Sequence, residues 1–329
     1  MPADFVICTR AVDGKSFKAE PGKTQFLKVP DGLQPNPKQA LKPDAWVREL
    51  HRQAVWGTDS RTGAQRGDIL VFIHGYNNGQ DIVMQRLRRL KQDLTGVGFK
   101  GSVVAFDWPS ENMTLNYVED RHDAKTTALQ LVKDGIKLLA EKQTPDCCVN
   151  VHLLGHSTGA YLIREAFDDA DDTELKNAAW MVSQLVLIGG DISSSSLSSG
   201  NATSESLYRH CTRLTNYSNR NDSVLKLSNV KRLGMASRVG RVGLPADHPD
   251  KAVDVNCTEY FASLNSEASI KNADQSEAIG SFDHSWHIGN RVFARDLFET
   301  LRGDLDRTAI PTRELTGDGT LKLVRLPGQ

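Results

Sequence analysis

Short runs that are almost wholly apolar recur along the chain and alternate with segments whose apolar residues have helical spacing. The runs Ile69–Ile73, Val103–Phe106, Val149–Leu154 and Gln184–Ile188 are of the first kind, and roughly 121–143 is of the second. Strands that are buried on both faces of a parallel sheet read as continuous apolar runs. The alternation therefore predicts a mostly parallel sheet with right-handed connections and helices on both faces.

The regions outside this alternation are less regular. Before it, the pattern predicts short strands and a helix near 43–56, and after it a hairpin outside the main sheet. Within it, 193–206 is rich in Ser, Gly, Asn and Thr and 228–281 is irregular, so both are interpreted as loops, either of which could hang over a site as a lid. The chain is thus divided into an N-terminal extension, one α/β domain and a C-terminal tail: 1–65, 66–305 and 306–329.

Charge and cysteine content narrow the class of protein. The 329 residues include 40 basic and 41 acidic ones, a balance that gives no footprint for nucleic acid or an anionic membrane. The basic cluster Arg86, Arg88, Arg89 and Lys91 is expected to be the solvated face of a helix. No signal peptide and no membrane span are expected from the apolar pattern. Five cysteines without metal-like spacing indicate reduced thiols, and a cytoplasmic location is expected.

The stretch Val149–Gly159 predicts a strand, a sharp turn and a helix, with Ser157 at the apex of the turn. Side chains at Gly155 and Gly159 are expected to collide in so tight a turn, which gives both glycines a steric reason. The serine hydroxyl would then lie at the N-terminus of a helix, whose dipole favours developing negative charge. This arrangement is the nucleophile elbow of α/β-hydrolases, and Ser157 is the predicted nucleophile.

A serine hydroxyl needs a general base, and in the hydrolase chain order this base lies downstream of the nucleophile. The histidines after Ser157 are His210, His248, His284 and His287. His284 lies in a loop just before a helical pattern, where a side chain can point over the strand ends, and it is the predicted base. His287 begins that pattern and is expected to pack or cap.

The base in turn needs an orienting carboxylate. Asp191 and Asp222 each end a predicted strand, and Asp222 follows the later one, which ends at Tyr217. Asp222 is therefore the predicted acid, with Asp191 as the possible substitute. The oxyanion hole is expected to consist of two backbone N–H groups, that of Thr158 and that of Tyr76 in the turn after the first buried strand.

Several of these segments resemble a bacterial α/β-hydrolase family long catalogued as a domain of unknown function. The similar segments, within roughly 66–300, are Val71–Asn77, Phe106–Ser110, Leu154–Gly159, Tyr217–Asp222, Val239–Leu244 and Asp283–Trp286. The resemblance implies the α/β-hydrolase fold, a triad of Ser157, Asp222 and His284, and esterase-like activity without a cofactor. Two residues depart from the family pattern: Thr158 replaces the commoner Met, and Asp283 replaces a Gly and puts a carboxylate beside the predicted base.

The sequence thus predicts a serine hydrolase that cleaves carboxylic esters. Short-acyl esters are expected to be preferred, because 193–206 and 228–281 offer no long apolar stretch to sheathe a fatty chain. An amidase, a peptidase or a lipase would use the same triad, and a non-catalytic binding module would have the same fold. A small-molecule ester is the expected partner, whereas no nucleic acid, stable membrane insertion, metal or cofactor is expected.

Overall fold

The computed structural model describes residues 2–110, 126–140, 147–177, 180–231, 236–266 and 279–326, and its centre is a 12-stranded sheet. The strands are β1 Asp4–Asp13, β2 Ser16–Val29, β3 Ala40–Leu41, β4 Val55–Thr58, β5 Gln65–Ile73, β6 Ser102–Asp107, β7 Cys147–His156, β8 Val182–Ile188, β9 Cys211–Ser218, β10 Ala252–Asn256, β11 Arg313–Leu315 and β12 Leu321–Leu323.

The strands lie in the order β11-β12-β10-β9-β8-β7-β5-β6-β1-β2-β3, with β4 beside β5. The eight strands from β12 to β1 in this order run parallel to one another. Antiparallel pairing joins β2, β3, β4 and β11 to the rest. This arrangement confirms the predicted mostly parallel sheet.

Helices cover both faces of the sheet. They are α1 Pro43–Ala54, α2 Gln80–Gly96, α3 over 126–140, α4 Thr158–Ala170, α5 Ala202–Arg209, α6 Ser223–Lys231, α7 Val239–Val242, α8 Thr258–Ser266, α9 Phe282–Ser285 and α10 Arg291–Arg302. Buried side chains of α1, α3, α4 and α5 form the core on one face, and those of α2, α8 and α10 form the core on the other. Within the described ranges, no helix is long and apolar enough to cross a membrane.

Strand β5 illustrates why the apolar runs are continuous. Ile69, Val71 and Ile73 belong to the first core, whereas Leu70 and Phe72 belong to the second. Because successive side chains of a strand point to opposite faces, a strand covered by helices on both sides needs apolar residues at every position. All five side chains are buried.

The Ser-rich stretch 193–206 is more ordered than predicted. A 3-10 turn over Ser194–Leu197 leads into α5, so the interpretation of the whole stretch as a loop is wrong. The side chain of Asn201 accepts a hydrogen bond of 3.1 Å from the N–H of Thr203 and caps α5. Polar residues of this kind favour helix N-caps as well as loops, and the fully buried Leu207 anchors the helix.

The segment 228–281 is also less irregular than predicted where it is described. Residues 236–266 contain α7, strand β10 and α8. Strand β10 pairs in parallel with β9, from Ala252 opposite Leu214 to Asn256 opposite Ser218, so this segment extends the central sheet. The short strand was missed because it is only five residues long, too few for a clear hydrophobic period.

Both ends of the chain contribute to the same sheet. The tail forms the expected hairpin of β11 and β12, but β12 pairs in parallel with β10, so its prediction as a hairpin outside the main sheet is wrong. Within residues 1–65, β1 pairs in parallel with β6 from Phe5 to Cys8. The N-terminal extension therefore supplies a strand beside the centre of the fold.

The tail is held by a buried ion pair between Arg313 and Asp296 of α10. The two groups approach to 2.6 Å with no exposed side-chain surface. Tyr217 and Thr312 donate further hydrogen bonds to the same carboxylate, of 2.5 and 2.6 Å. Burial disfavours a charged Arg313, but Asp296 outweighs it and raises the pKa of the guanidinium.

We predict that Arg313→Met lowers the free energy of unfolding by about 3 kcal/mol, because it leaves the buried Asp296 carboxylate without its cation. Urea denaturation followed by circular dichroism measures this change. The control is Lys322→Met in the same hairpin, which removes an exposed pair with Glu259 and should change stability little. Equal stability losses in the two variants would contradict the prediction.

Candidate active site

Ser157 occupies a strained turn between β7 and α4. Its φ of 55° and ψ of −123° lie in a region that non-glycine residues rarely adopt. The turn is held from β8, since the Ser157 N–H donates to the Ile188 carbonyl at 3.0 Å and the Ser157 carbonyl accepts from the N–H of Asp191 at 3.1 Å. The serine is therefore fixed by neighbouring backbone, and little of it is exposed.

The glycines around this turn are needed for close backbone approach. A Cβ at Gly159 would lie 2.3 Å from the carbonyl oxygen of Ile73, and one at Gly155 would lie 2.9 Å from the Cα of Ala160. Side chains at these two positions would thus not collide with each other, as the sequence suggested. Each would collide with a different neighbouring residue. A Cβ at Gly75 would lie 2.7 Å from the Cβ of Ser157, so the turn after β5 also passes directly beside the serine.

His284 and Asp222 form a buried hydrogen-bonded pair. The Nδ1 of His284 lies 2.7 Å from the Oδ2 of Asp222, and both side chains are buried. The other carboxylate oxygen of Asp222 accepts from the N–H of Leu225 at 2.9 Å. Because a carboxylate can only accept, the Nδ1 of His284 carries the proton, and its Nε2 presents a lone pair.

Both the serine turn and His284 lie against the end of β8. Gly189 directly follows Ile188, whose carbonyl binds Ser157, and a Cβ at Gly189 would lie 3.1 Å from the Cε1 of His284. The Nε2 of His284 is buried and has no hydrogen-bond partner among the described residues, so it does not bind the Ser157 hydroxyl in this geometry. Catalytic hydrogen bonds in unliganded enzymes often form only when substrate binds.

Asp191, the alternative acid, lies elsewhere. Its Oδ1 is 3.2 Å from the Nε of Arg238, and both side chains are buried. The structure thus pairs His284 with Asp222, and it pairs Asp191 with a residue of the segment before α7. The catalytic roles of Ser157, Asp222 and His284 themselves stay predictions.

The other histidines downstream of Ser157 pack against aromatic rings or contact backbone carbonyls. His287 is buried, with its ring 4.0 Å from that of Trp286 and 5.2 Å from that of Phe293. Burial lowers the pKa of His287 well below its usual value, so its ring is neutral. His210 stacks on Trp180 at 3.9 Å, and the Nδ1 of His248 lies 3.1 Å from the carbonyl oxygen of Pro249.

Asp283, the departure from the family pattern, does not act on the base directly. Its Oδ2 accepts a hydrogen bond of 3.0 Å from the N–H of Ser223, at the start of α6. Burial alone would raise the pKa of Asp283, but hydrogen bonds from Ser223 and Ser281 outweigh burial and lower it. The carboxylate therefore holds the loop before His284 against the helix after Asp222.

The turn after β5 orients the N–H of Tyr76. The Gly75 carbonyl, in the same peptide unit, accepts from the Nδ2 of Asn78 at 2.7 Å and contacts the Nδ1 of His74 at 2.9 Å. The peptide bonds are trans, so the Tyr76 N–H points away from these two side chains. Since Gly75 lies against Ser157, this direction fits the predicted oxyanion donor.

The N–H of Thr158 is likewise oriented by hydrogen bonds to the carbonyl in its own peptide unit. The Ser157 carbonyl accepts from Asp191 and Ala160, which holds the peptide unit between Ser157 and Thr158. The N–H opposite that carbonyl belongs to the first residue of α4, where a helix has no acceptor of its own to offer. Replacing the commoner Met by Thr leaves this backbone donor in place.

A buried network that sequence reasoning missed supports the Tyr76 turn. Arg10 of β1 donates to the Oδ1 of Asp107 at 2.7 Å and to the carbonyl of Asn78 at 3.1 Å. The Nε2 of His74 accepts from the N–H of Trp108 at 3.2 Å, and burial lowers the pKa of His74, so the ring is neutral. No sequence pattern indicated a role for Arg10, because its partner Asp107 lies 97 positions further along the chain.

Residues with metal-binding side chains do not converge on this site. No group of three or more His, Cys, Asp or Glu residues in the described ranges could hold a metal ion.

The parallel sheet, the strained serine turn and the Asp–His pair together define an α/β-hydrolase fold. The model of a family described as alpha/beta hydrolase of unknown function (DUF900) matches residues 53–261. The chain belongs to this family, which confirms the resemblance drawn from its motifs.

Several solved structures are similar to this chain at low identity and low TM-score. Dienelactone hydrolase from Anabaena variabilis ATCC 29413 is 15% identical over 83% of this chain and 96% of that chain, with a TM-score of 0.36. Esterase B from Lactobacillus rhamnosis is 11% identical over 72% and 75%, with a TM-score of 0.39. Phospholipase PlaB from Legionella pneumophila is 14% identical over 48% of this chain and 39% of its own, with a TM-score of 0.31. No curated protein matches the sequence significantly.

We predict that Asp191→Asn chiefly affects stability. It removes the charge of the carboxylate that pairs with the buried Arg238 and should lower the free energy of unfolding by about 3 kcal/mol. The matched control is Asp171→Asn, which removes a more exposed pair with Arg209. Urea denaturation compares the two, and an Asp191→Asn protein as stable as the control would contradict the prediction.

Proposed function

We propose that this protein is a serine hydrolase that cleaves carboxylic esters through an acyl-enzyme. The observation that carries the proposal is the 2.7 Å hydrogen bond between Asp222 and His284, at the strand ends that also hold the strained Ser157 turn. The family to which the chain belongs supports a hydrolase. The ester substrate and the roles of the residues are inferred from the chemistry of the site.

The proposed reaction begins when the Nε2 of His284 takes the proton of the Ser157 hydroxyl as the oxygen attacks the ester carbonyl. Asp222 holds the imidazole in the required tautomer and stabilises the imidazolium that forms. The imidazolium then protonates the leaving alcohol, and the acyl group stays on Ser157. A water molecule, deprotonated by His284, then attacks the acyl carbonyl. The bond between this carbon and the Ser157 oxygen breaks, the acid leaves, and the imidazolium returns its proton to the serine oxygen.

The negative charge on the tetrahedral intermediate is assigned to the N–H groups of Tyr76 and Thr158. Such donors are effective because they are already oriented before the charge develops. The Arg10–Asp107 pair and His74 hold the turn of Tyr76 from behind. In this proposal the N-terminal strand β1 is therefore part of the catalytic framework.

We propose an ester rather than an amide as the substrate, because an alkoxide is a better leaving group and depends less on protonation than an amine does. The expectation of short acyl groups also stays a prediction. It is supported by the described part of 228–281, where β10 and α8 pack into the fold rather than forming an apolar flap.

We predict that Ser157→Ala abolishes both ester hydrolysis and covalent labelling by a fluorophosphonate probe without unfolding the protein. His284→Ala should lower kcat by several orders of magnitude. Asp222→Asn should also lower kcat, but by a factor roughly a hundredfold smaller, since the acid mainly positions the base. His287→Ala and Asp191→Asn should keep most of the kcat of their folded fraction. Chromogenic esters of increasing acyl length, assayed on all five variants, measure these effects.

The same panel distinguishes the alternatives. A rate that jumps above the micellar threshold would indicate a lipase, and faster cleavage of matched amides would indicate an amidase or peptidase. A folded protein that the probe does not label would indicate a binding module. An active Ser157→Ala protein, or an inactive His287→Ala protein beside an active His284→Ala one, would contradict the assignment of residues.

We further predict that Asp107→Asn lowers kcat by about tenfold to a hundredfold with little change in KM, because the oxyanion donor is then held less well. The control is Asp4→Asn, which removes a buried carboxylate at the start of β1 that pairs with Arg88 and Lys91. This control should lose stability but keep its kcat. Equal kcat losses in both variants would show that Asp107 acts only through stability.

A further inference from the structure

The sequence placed Arg86 on a solvated helix face, but the structure buries it. Only 4% of Arg86 is exposed, although Arg88, Arg89 and Lys91 of the same helix do reach more solvent. Its guanidinium points toward residues 279–285, here called the base loop because they carry His284. The sequence placed His284 in a loop, but Phe282–Ser285 form the one-turn helix α9, so that prediction is wrong for His284 itself. Arg86 is therefore the one member of the predicted basic cluster that lies within reach of the candidate active site.

Arg86 holds the base loop at two points. Its Nε and Nη2 donate to the carbonyl of Ile279 at 3.1 and 2.8 Å, and Nη2 also donates to the Oγ of Ser285 at 3.2 Å. Between them lies Gly280, with a φ of 107°, where a Cβ would be 2.5 Å from Nη2. The loop thus bends closely around the guanidinium, with one contact before His284 and one directly after it.

His156, the residue before the candidate nucleophile, links Arg86 to the base itself. Its Nδ1 lies 3.5 Å from the Nη1 of Arg86, and its Nε2 lies 3.3 Å from the backbone carbonyl of His284. A guanidinium can only donate, so Nδ1 accepts and Nε2 carries the proton. Burial lowers the pKa of His156 well below its usual value, with the charge of Arg86 adding to the effect, so this tautomer is neutral.

Burying the charged guanidinium of Arg86 costs desolvation free energy. Among the described residues, no carboxylate lies within ion-pair distance of Arg86, and burial lowers its pKa to about 10, so it is still a cation at neutral pH. An apolar side chain would pack there without this desolvation cost. What the guanidinium provides instead is a rigid fork of donors that can hold several loop atoms at once.

We propose that Arg86 is a positioning residue that acts through His156 and Ile279 to hold the base loop where His284 can serve as general base. The inference rests on the proposed function and deepens it. Asp222 fixes the ring of His284 on one side, and Arg86 and His156 fix its backbone on the other. The ring and the backbone of His284 are then both held in place before substrate binds.

The first test compares kcat and KM of Arg86→Met, Arg86→Lys and the control Arg88→Met on a short chromogenic ester. Arg86→Met should lower kcat roughly a hundredfold with KM nearly unchanged, because misplacing the base affects the reaction rather than binding. Arg86→Lys should recover part of the loss. Arg88→Met, which removes contacts with Asp4 and Leu33, should keep its kcat.

Rescue experiments separate positioning from packing. Guanidinium chloride at non-denaturing concentrations should raise the kcat of Arg86→Ala at least tenfold, whereas urea and sodium chloride should not. His156→Gln, which keeps a donor toward the carbonyl of His284, should be more active than His156→Leu. Absence of guanidinium rescue, or equal activity of the two His156 variants, would overturn the proposal.

A final measurement does not depend on turnover. Imidazole 15N NMR of the wild-type protein should find His156 neutral with its proton on Nε2, and His284 with its proton on Nδ1. In Arg86→Met, the tautomer signal of His156 should change while the fold persists. A His156 proton on Nδ1 in the wild type would overturn the inference, whereas a wild type without esterase activity would overturn only the proposed function.

Discussion

The close approach of three backbone segments at Ser157, from the ends of β5, β7 and β8, is the constraint on which the rest of the site depends. A positive φ at the serine turns the chain sharply, and the turn is possible only because Gly155, Gly159 and Gly75 have no Cβ where neighbouring backbone passes. The parallel strands bring these segments together at the same edge of the sheet. The strain at one residue is thus maintained by packing on every side.

The residues that complete the site come from parts of the chain that are far apart. Arg10 lies on the first strand, Arg86 on α2, and His284 on the short helix α9. Each of the two arginines holds a loop rather than touching the place where a reacting carbonyl would lie. In the proposed mechanism their shared role is to orient dipoles and a lone pair before the reaction, and such preorganisation is a main source of electrostatic catalysis.

The family match covers residues 53–261 and therefore includes Ser157 and Asp222 but neither Arg10 nor His284. For those two residues the geometry is the evidence: a 2.7 Å contact joins His284 to Asp222, and another of 2.7 Å joins Arg10 to Asp107. The strand and the loop that lie outside the matched region are thus built into the site by buried polar contacts. Removing one partner of such a contact is costly, which ties the site to the whole sheet.

The sequence by itself determined the features that depend on near neighbours. The apolar runs predicted the doubly covered parallel sheet, and Gly155, Ser157 and Gly159 predicted the turn, because strand periodicity and turn sterics are local. The strand hidden in 228–281 and the burial of Arg86 were decided only by the tertiary structure. Each of these depends on which distant elements pack side by side, and the free energy of a buried charge is set by partners that local pattern does not encode.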